Sequence, residues 1–236
     1  MVKSTMSSVA EIFNQAKLEN RKFLLETEAK TVCSHYGIPV TKFMLAKKAE
    51  DAANFAEKIG YPVVMKIVSP DVIHKFDVGG VVLNLKTAKE VESAFKKIVE
   101  NVKKHKPDVR IVGVTVQEMA PASTEVIVGA IKDPQFGQTL MFGLGGIFVE
   151  ILKDVTFRIA PVTDEEAREM VTEVKAYPLL QGYRGQPPAD VSAIIRILLA
   201  TSKLVMSHAE IKELDLNPII VYEKGAKTVD ARIILE

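Results

Sequence analysis

The sequence is poor in cysteine, in net charge and in long apolar runs, and each shortage removes a class of protein. A single cysteine, Cys33, among 236 residues leaves no partner for an internal disulfide and no multi-cysteine metal site. Within EAKTVCSHYGI it reads as a small residue on a buried helix face. Lys and Arg (31) balance Asp and Glu (30), so the net charge is +1. No global field therefore draws the chain to nucleic acid or to an anionic membrane. No apolar run approaches the roughly 20 residues that span a bilayer. The opening MVKSTMSSVAEIFNQAKLEN turns polar and helical before a signal-peptide core develops. No G-x-G-x-x-G follows a strand, and there is no P-loop, no internal repeat and no low-complexity tract. With 47% hydrophobic and 26% charged residues, what remains is an α/β protein with a real core and an expected cytoplasmic location.

The apolar spacing predicts helices over 7–19, capped by Ser7 or Ser8, and over 26–36, stopped by Gly37 with Pro39 beyond it. A third helix, 49–59, ends at Gly60. Val91, Ala94, Phe95, Ile98, Val99 and Val102 mark an amphipathic helix with a lysine-rich outer face. Helices are also expected over 163–175 and over 189–206, the latter apolar enough to be internal. Strands are expected at 41–46, at 61–68 (a continuous apolar run, covered on both faces), at 80–85, and at 111–119, 125–131 and 138–142. MFGLGGIFVE reads as a glycine-rich turn. The C-terminus reads as a hairpin turning at Lys224-Gly225. The expected organisation is one unit over 1–236 with an N-terminal helix at 7–19 and two α/β lobes, 21–110 and 111–236.

Lys66 lies inside a run that otherwise signals burial. A buried ammonium is costly unless an anion meets it, although a lysine at a strand edge can snorkel to water. Beyond it the sequence VSPDVIHKFDVGG brings His74, Lys75, Gly79 and Gly80 into one connection. Successive glycines let backbone N–H groups approach phosphate oxygens. His74 is either a solvated loop histidine or, since a neutral imidazole can attack phosphorus, a nucleophile; no second His or Cys stands at metal-ligand spacing. In the hairpin, Glu213, Asp215 and Asn217 alternate and share a face. A turn at Lys224-Gly225 sets Asn217 against Arg232 and Ile219 against Asp230, making Asp230 a diagonal neighbour of Asn217. Such an oxygen set suits Mg²⁺ bound to nucleotide phosphates, or else belongs to a charged, solvent-facing hairpin. Glu118 and Glu125 flank MAPAST, where acceptors could read an adenine amino group and a ribose diol.

Taken in order, GYPVVMKIVSPDVIHKFDVGGVVLNL, VQEMAPASTEVIVGA, MFGLGGIFVE, GYRGQPPADV and ELDLNPIIV…VDARIIL resemble the ATP-grasp family, and within it the β subunits of ADP-forming acetate–CoA ligases. The resemblance runs from about residue 8 to the end. It implies an ATP-grasp fold, two α/β lobes with the nucleotide held between them. It implies Lys66 at the phosphates, Gly79 and Gly80 closing over them, Glu118 and Met119 as adenine hinge, and Glu125 at the ribose. Asn217 and Asp230 would hold Mg²⁺, supported by Asp215 and Glu213. His74 would carry the phosphoryl group from a phosphohistidine on an α subunit to ADP, with Lys75 and Arg158 as further phosphate contacts. The α subunit would supply the CoA-binding and acyl chemistry in an α2β2 heterotetramer. A carboxylate–amine ligase and a non-catalytic nucleotide-sensing module would use much of the same set, but neither needs a phosphorylated His74.

Overall fold

The computed structural model describes residues 8–72, 74–146, 149, 151–183, 185 and 187–236. In chain order its elements are α1 (Val9–Leu18), α2 (Glu26–His35), β1 (Phe43–Ala46), α3 (Ala49–Ile59), β2 (Val63–Val68), β3 (Val81–Leu85) and α4 (Ala88–His105). There follow β4 (Gly113–Glu118), β5 (Thr124–Asp133), β6 (Gly137–Leu144), β7 (Val155–Ile159), α5 (Asp164–Glu173), α6 (Tyr177–Leu180), α7 (Val191–Ser207), β8 (Ile211–Val221), β9 (Ala226–Thr228) and β10 (Ala231–Leu235). They form two compact units. One is Thr41–Pro121; the other joins Met1–Val40 to Ala122–Glu236.

In the smaller unit, four antiparallel strands run in the order β1-β4-β2-β3. Thr87 caps α4 by accepting the Glu90 N–H, and the expected apolar stripe becomes its buried face: Val91, Ala94, Ile98 and Val102. That stripe and Ala52 and Ala56 of α3 pack on Val63, Met65, Ile67, Val114 and Val116. Because side chains alternate, Val64, Lys66, Thr115 and Gln117 lie on the opposite face of the sheet.

In the larger unit the strand order is β10-β8-β5-β6-β7, with β9 also paired to β8. One face buries Val126, Val128, Leu140, Phe142, Leu214, Leu216 and Ile233 against the helices, above all against the apolar α7. Asp190 caps α7 through the Ala193 N–H at 2.9 Å, and its other oxygen accepts the Gly225 N–H at 2.8 Å, which ties the helix start to the C-terminal turn. Ser8 and Glu11 form a reciprocal capping box on α1. No helix among the described residues is long and apolar enough to cross a membrane.

Three features differ from the sequence reading. The division between units does not fall near residue 110: β4 hydrogen-bonds to β1 and β2, while residues 21–40 join the other unit through Leu24 N–H to Ile233 O and Thr228 N–H to Pro39 O. Strand pairing, which is blind to sequence adjacency, sets the boundary. Second, β7 and α6 were not expected, and β6 runs on to Leu144 where the glycine-rich turn was placed; residues 147, 148 and 150 of that turn lie outside the described residues. Third, the C-terminal reversal is centred on Glu223-Lys224, with Tyr222 N–H donating to Gly225 O. The register therefore slips by two: Asp215, not Asn217, faces Arg232, and Ile219 faces Thr228. A slip of two keeps every side chain on its expected face.

Candidate functional site

Lys66 sits in the centre of β2, only 6% exposed, with Val81 on one flank and Thr115 on the other. The Thr115 hydroxyl donates to the Lys66 carbonyl at 3.1 Å. Thr115 and Gln117, both 1% exposed, share its face of the sheet. Sequence reasoning missed these two. Their signal was the V-T-V-Q alternation of β4, polar residues at the period where a buried strand should show apolar ones. A buried cation beside buried hydroxyl and amide groups is a surface that receives anionic oxygen rather than hydrocarbon.

The connection leaving β2 carries His74 exposed to solvent. Both ends of this connection are fastened. Asp71 accepts the Arg110 N–H at 2.6 Å, lies 4.0 Å from the Lys106 ammonium and donates its own N–H to Ser69 Oγ. At the far end, Gly79 N–H donates to Phe76 O, Gly80 N–H donates to Lys75 O, and Asn101 Nδ2 donates to Gly79 O at 3.3 Å. These amide groups were expected at a phosphate; in this structure the turn itself satisfies them. The glycines answer to crowding instead. Gly79 has φ +62°, and a Cβ there would stand 2.7 Å from Asn101 Nδ2, while one on Gly80 would stand 2.6 Å from Ile67 Cγ2.

Glu118 ends β4 and Met119 follows it. The Glu118 carboxylate accepts the Lys42 N–H at 2.7 Å, Glu118 N–H donates to Lys42 O, and Met119 N–H donates to Pro62 O at 3.2 Å. Both residues thus bind the chain entering β1 and β2, and the Met119 side chain is partly exposed.

In the larger unit, Glu125 opens β5 with its side chain exposed. Gly145 N–H donates to Glu125 O, and a Cβ on Gly145 would stand 3.0 Å from Glu125 Cβ, so part of the glycine turn backs this residue. Glu213, Asp215 and Asn217 on β8 lie on the face away from the helical core, together with Asp230 and Arg232. Asn217 N–H donates to Asp230 O at 3.3 Å, which makes those two residues direct neighbours. Burial pushes the Asp215 carboxyl above its ordinary value, the Asp230 charge adds to the rise, and Arg232 opposes it. A divalent cation would relieve both the burial and the like charge. Among the described residues no three His, Cys, Asp or Glu side chains form a metal cage. Two carboxylates and an amide suit Mg²⁺, which keeps waters and takes further oxygens from a nucleotide.

Arg158 does not join this set. It points to the helical side of the larger sheet, where its guanidinium pairs with Glu173 at 2.5 Å and Glu169 at 3.2 Å on α5, and those carboxylates raise its pKa. Its partners make it a brace between β7 and α5.

The chain matches the ATP-grasp domain model over residues 15–235. It is 52% identical over 230 residues to the acetate–CoA ligase [ADP-forming] I subunit beta of Pyrococcus furiosus, covering 98% of this chain and 99% of that one. It superposes with a TM-score of 0.93 and 53% identity on dinucleotide forming acetyl-coenzyme A synthetase 1 of Candidatus Korarchaeum cryptofilum, in complex with coenzyme A, Ca-AMPCP and HgCl+; this covers 97% of this chain and 100% of that one. Another structure of that synthetase holds coenzyme A and Mg-AMPPCP, its phosphohistidine segment pointing towards the nucleotide binding site (TM-score 0.87, 50% identity, 97% and 100% covered). The chain belongs to the ATP-grasp family and, within it, to the family of the β subunits of ADP-forming acetate–CoA ligases.

Proposed function

We propose that this chain is the nucleotide-binding, phosphoryl-transferring subunit of an ADP-forming acetyl-CoA synthetase, working with an α subunit in a cytoplasmic α2β2 assembly. The overall reaction is acyl-CoA + ADP + phosphate ⇌ acid + CoA + ATP. The observation that carries this reading is His74: an exposed imidazole on a fastened connection leading out of the strand that holds the buried Lys66. A fold has no need of a histidine there; a phosphoryl relay does.

In the relay, an imidazole nitrogen of His74 attacks phosphorus of the partner's phosphohistidine, and one P–N bond breaks as another forms. One neutral imidazole is released for each one consumed, so the proton count is unchanged. A β-phosphate oxygen of ADP then attacks the same phosphorus, the P–N bond to His74 breaks, and ATP leaves. Phosphoryl transfer depends mainly on positioning and charge neutralisation. Lys66 supplies a desolvated positive charge, with Lys75 as a second cation. Gly79 and Gly80 would approach the phosphates only if their turn opened. Glu118 and Met119 would meet adenine, and Glu125 the ribose hydroxyls. Asn217 and Asp230, supported by Asp215 and Glu213, would hold Mg²⁺, which neutralises the phosphate oxygens when bound.

The test is incubation of this chain and its α subunit with γ-labelled ATP and Mg²⁺. The expected result is label on this chain that survives base, is lost in acid, and is absent from His74→Ala. Nucleotide binding without such label would refute the relay and move a nucleotide sensor or a carboxylate–amine ligase ahead.

A further inference from the structure

We propose that the open face of β5, β6 and β7 is where the α subunit docks, an assignment that rests on the subunit reading above. Of the twelve large hydrophobic side chains exposed among the described residues, six fall between residues 131 and 159: Ile131, Phe136, Ile151, Leu152, Phe157 and Ile159. Scattered single exposures would need no explanation, but half of them gather on three strands and their turns.

Alternation along the strands puts Ile131, Phe157 and Ile159 on the face away from the helical core. Phe136 lies in the turn joining β5 to β6, and Ile151 and Leu152 lie in the turn that leads into β7. β7 is the last strand of its sheet, and no described strand pairs its outer edge. The strand registers make this surface continuous with the proposed Mg²⁺ set. One row runs Asp215, Gly129, Met141, Phe157, and the next runs Glu213, Ile131, Thr139, Ile159. Met141 Cε lies 3.3 Å from where a Gly129 Cβ would stand, so its side chain covers that glycine and keeps the first row apolar beyond Asp215. At about 4.8 Å per strand, Phe157 stands about 14 Å from Asp215, and Ile131 about 5 Å from Glu213.

Position and area name the occupant. In the proposed relay the partner's phosphohistidine and ADP exchange phosphorus with one imidazole, so the α subunit must reach the phosphates that Mg²⁺ holds at Asn217 and Asp230. A protein seated on the β5–β7 face already borders that part of β8. At about 200 Å² for each large side chain, half exposed, the six present roughly 600 Å². That is the upper end of what a monomer leaves open, and most of the roughly 800 Å² that one partner gives to a standard interface. A subunit of a permanent assembly carries such a surface because its partner covers it.

The experiment measures the Kd between this chain and its α subunit by titration calorimetry, for wild type and for Phe157→Thr combined with Ile159→Thr. Threonine keeps the strand preference of both positions while removing apolar surface. The double variant is expected to bind the α subunit about 100-fold more weakly, about tenfold for each side chain, with the Kd for Mg-ADP and the melting temperature unchanged. At saturating α subunit it should take label from γ-labelled ATP at the wild-type rate, because docking and not chemistry has been weakened. Wild-type affinity for the α subunit in the double variant would overturn the proposal. Self-association of the wild-type chain that the double variant abolishes, with α-subunit affinity unaltered, would overturn it too and give the face to a second copy. If the double variant does not fold, Ile151→Ser combined with Leu152→Ser, in a turn outside the strands, carries the test with the same expected loss. A wild-type chain that does not bind the α subunit at all would instead defeat the subunit reading itself, an outcome distinct from a misplaced docking face.

Discussion

Asp215→Asn should make the chain more stable and less able to bind its nucleotide. Asp215 is half-buried beside Asp230, and burial first, with that like charge adding to it, holds its carboxyl above the ordinary 3.8. An acid whose folded value is raised contributes its full stability below pH 3.8 and loses it as pH rises through the folded value. At neutral pH without Mg²⁺, the ionised Asp215 is therefore a cost. Diagonal neighbours across a strand pair lie about 7–8 Å apart, so at an effective dielectric of about 20 the repulsion is about 2 kcal/mol. Arg232, directly opposite Asp215, outweighs that repulsion, so the net cost, on the order of 1 kcal/mol, comes from taking the carboxylate partly out of water. Asparagine keeps the shape and removes the charge. In EDTA at pH 7 the variant should melt about 2–4 °C higher than wild type, and the gap should close below pH 3.8. With Mg²⁺ present, its affinity for ADP should fall about 10–100-fold, the loss typical when a group supporting a metal site is removed. Thermal melts with and without Mg²⁺ and titration calorimetry with Mg-ADP would measure both. A lower melting temperature in EDTA, or an unchanged affinity for Mg-ADP, would refute the reasoning.

Two further outcomes follow from the geometry. Lys66→Met keeps the buried volume and removes the cation, so affinity for ADP should fall about 10–100-fold, the worth of about 1.5–3 kcal/mol for a charged hydrogen bond; fluorescence or calorimetric titration would measure it, and an unchanged Kd would count against Lys66 at the phosphates. Asp190→Ala removes the α7 cap and the bond to Gly225, together worth about 2–4 kcal/mol, and urea denaturation should show the loss. Those bonds hold the Asp190 carboxyl below 3.8, with the Gly225 N–H the largest cause. Its contribution is present above that pH and disappears as pH falls through the lower folded value, so the two proteins should converge in strong acid.

Much of this chain is written in local pattern. The α4 stripe, the helix stops at Gly37 and Gly60, the buried run of β2 and the shared face of Glu213, Asp215 and Asn217 depend on periodicities of 3.6 and 2, which neighbouring residues carry by themselves. Lys66 and His74 stood out for the same reason: each is a residue out of character with its immediate surroundings. What tertiary structure alone decided are pairings between distant segments. The unit boundary moved because β4 hydrogen-bonds to β1 and β2. Arg158, plausible at a phosphate by charge, belongs to Glu169 and Glu173 because alternation on β7 turns it toward α5. The Gly79 and Gly80 amides were given to phosphate and are spent in their own turn. The hairpin kept its faces and lost its register, since one residue's difference in where the chain turns shifts every pairing by two. Sequence determined which residues could do chemistry and on which face of their own element. Folding decided which of them are free to do it, because a hydrogen-bond partner can come from anywhere along the chain.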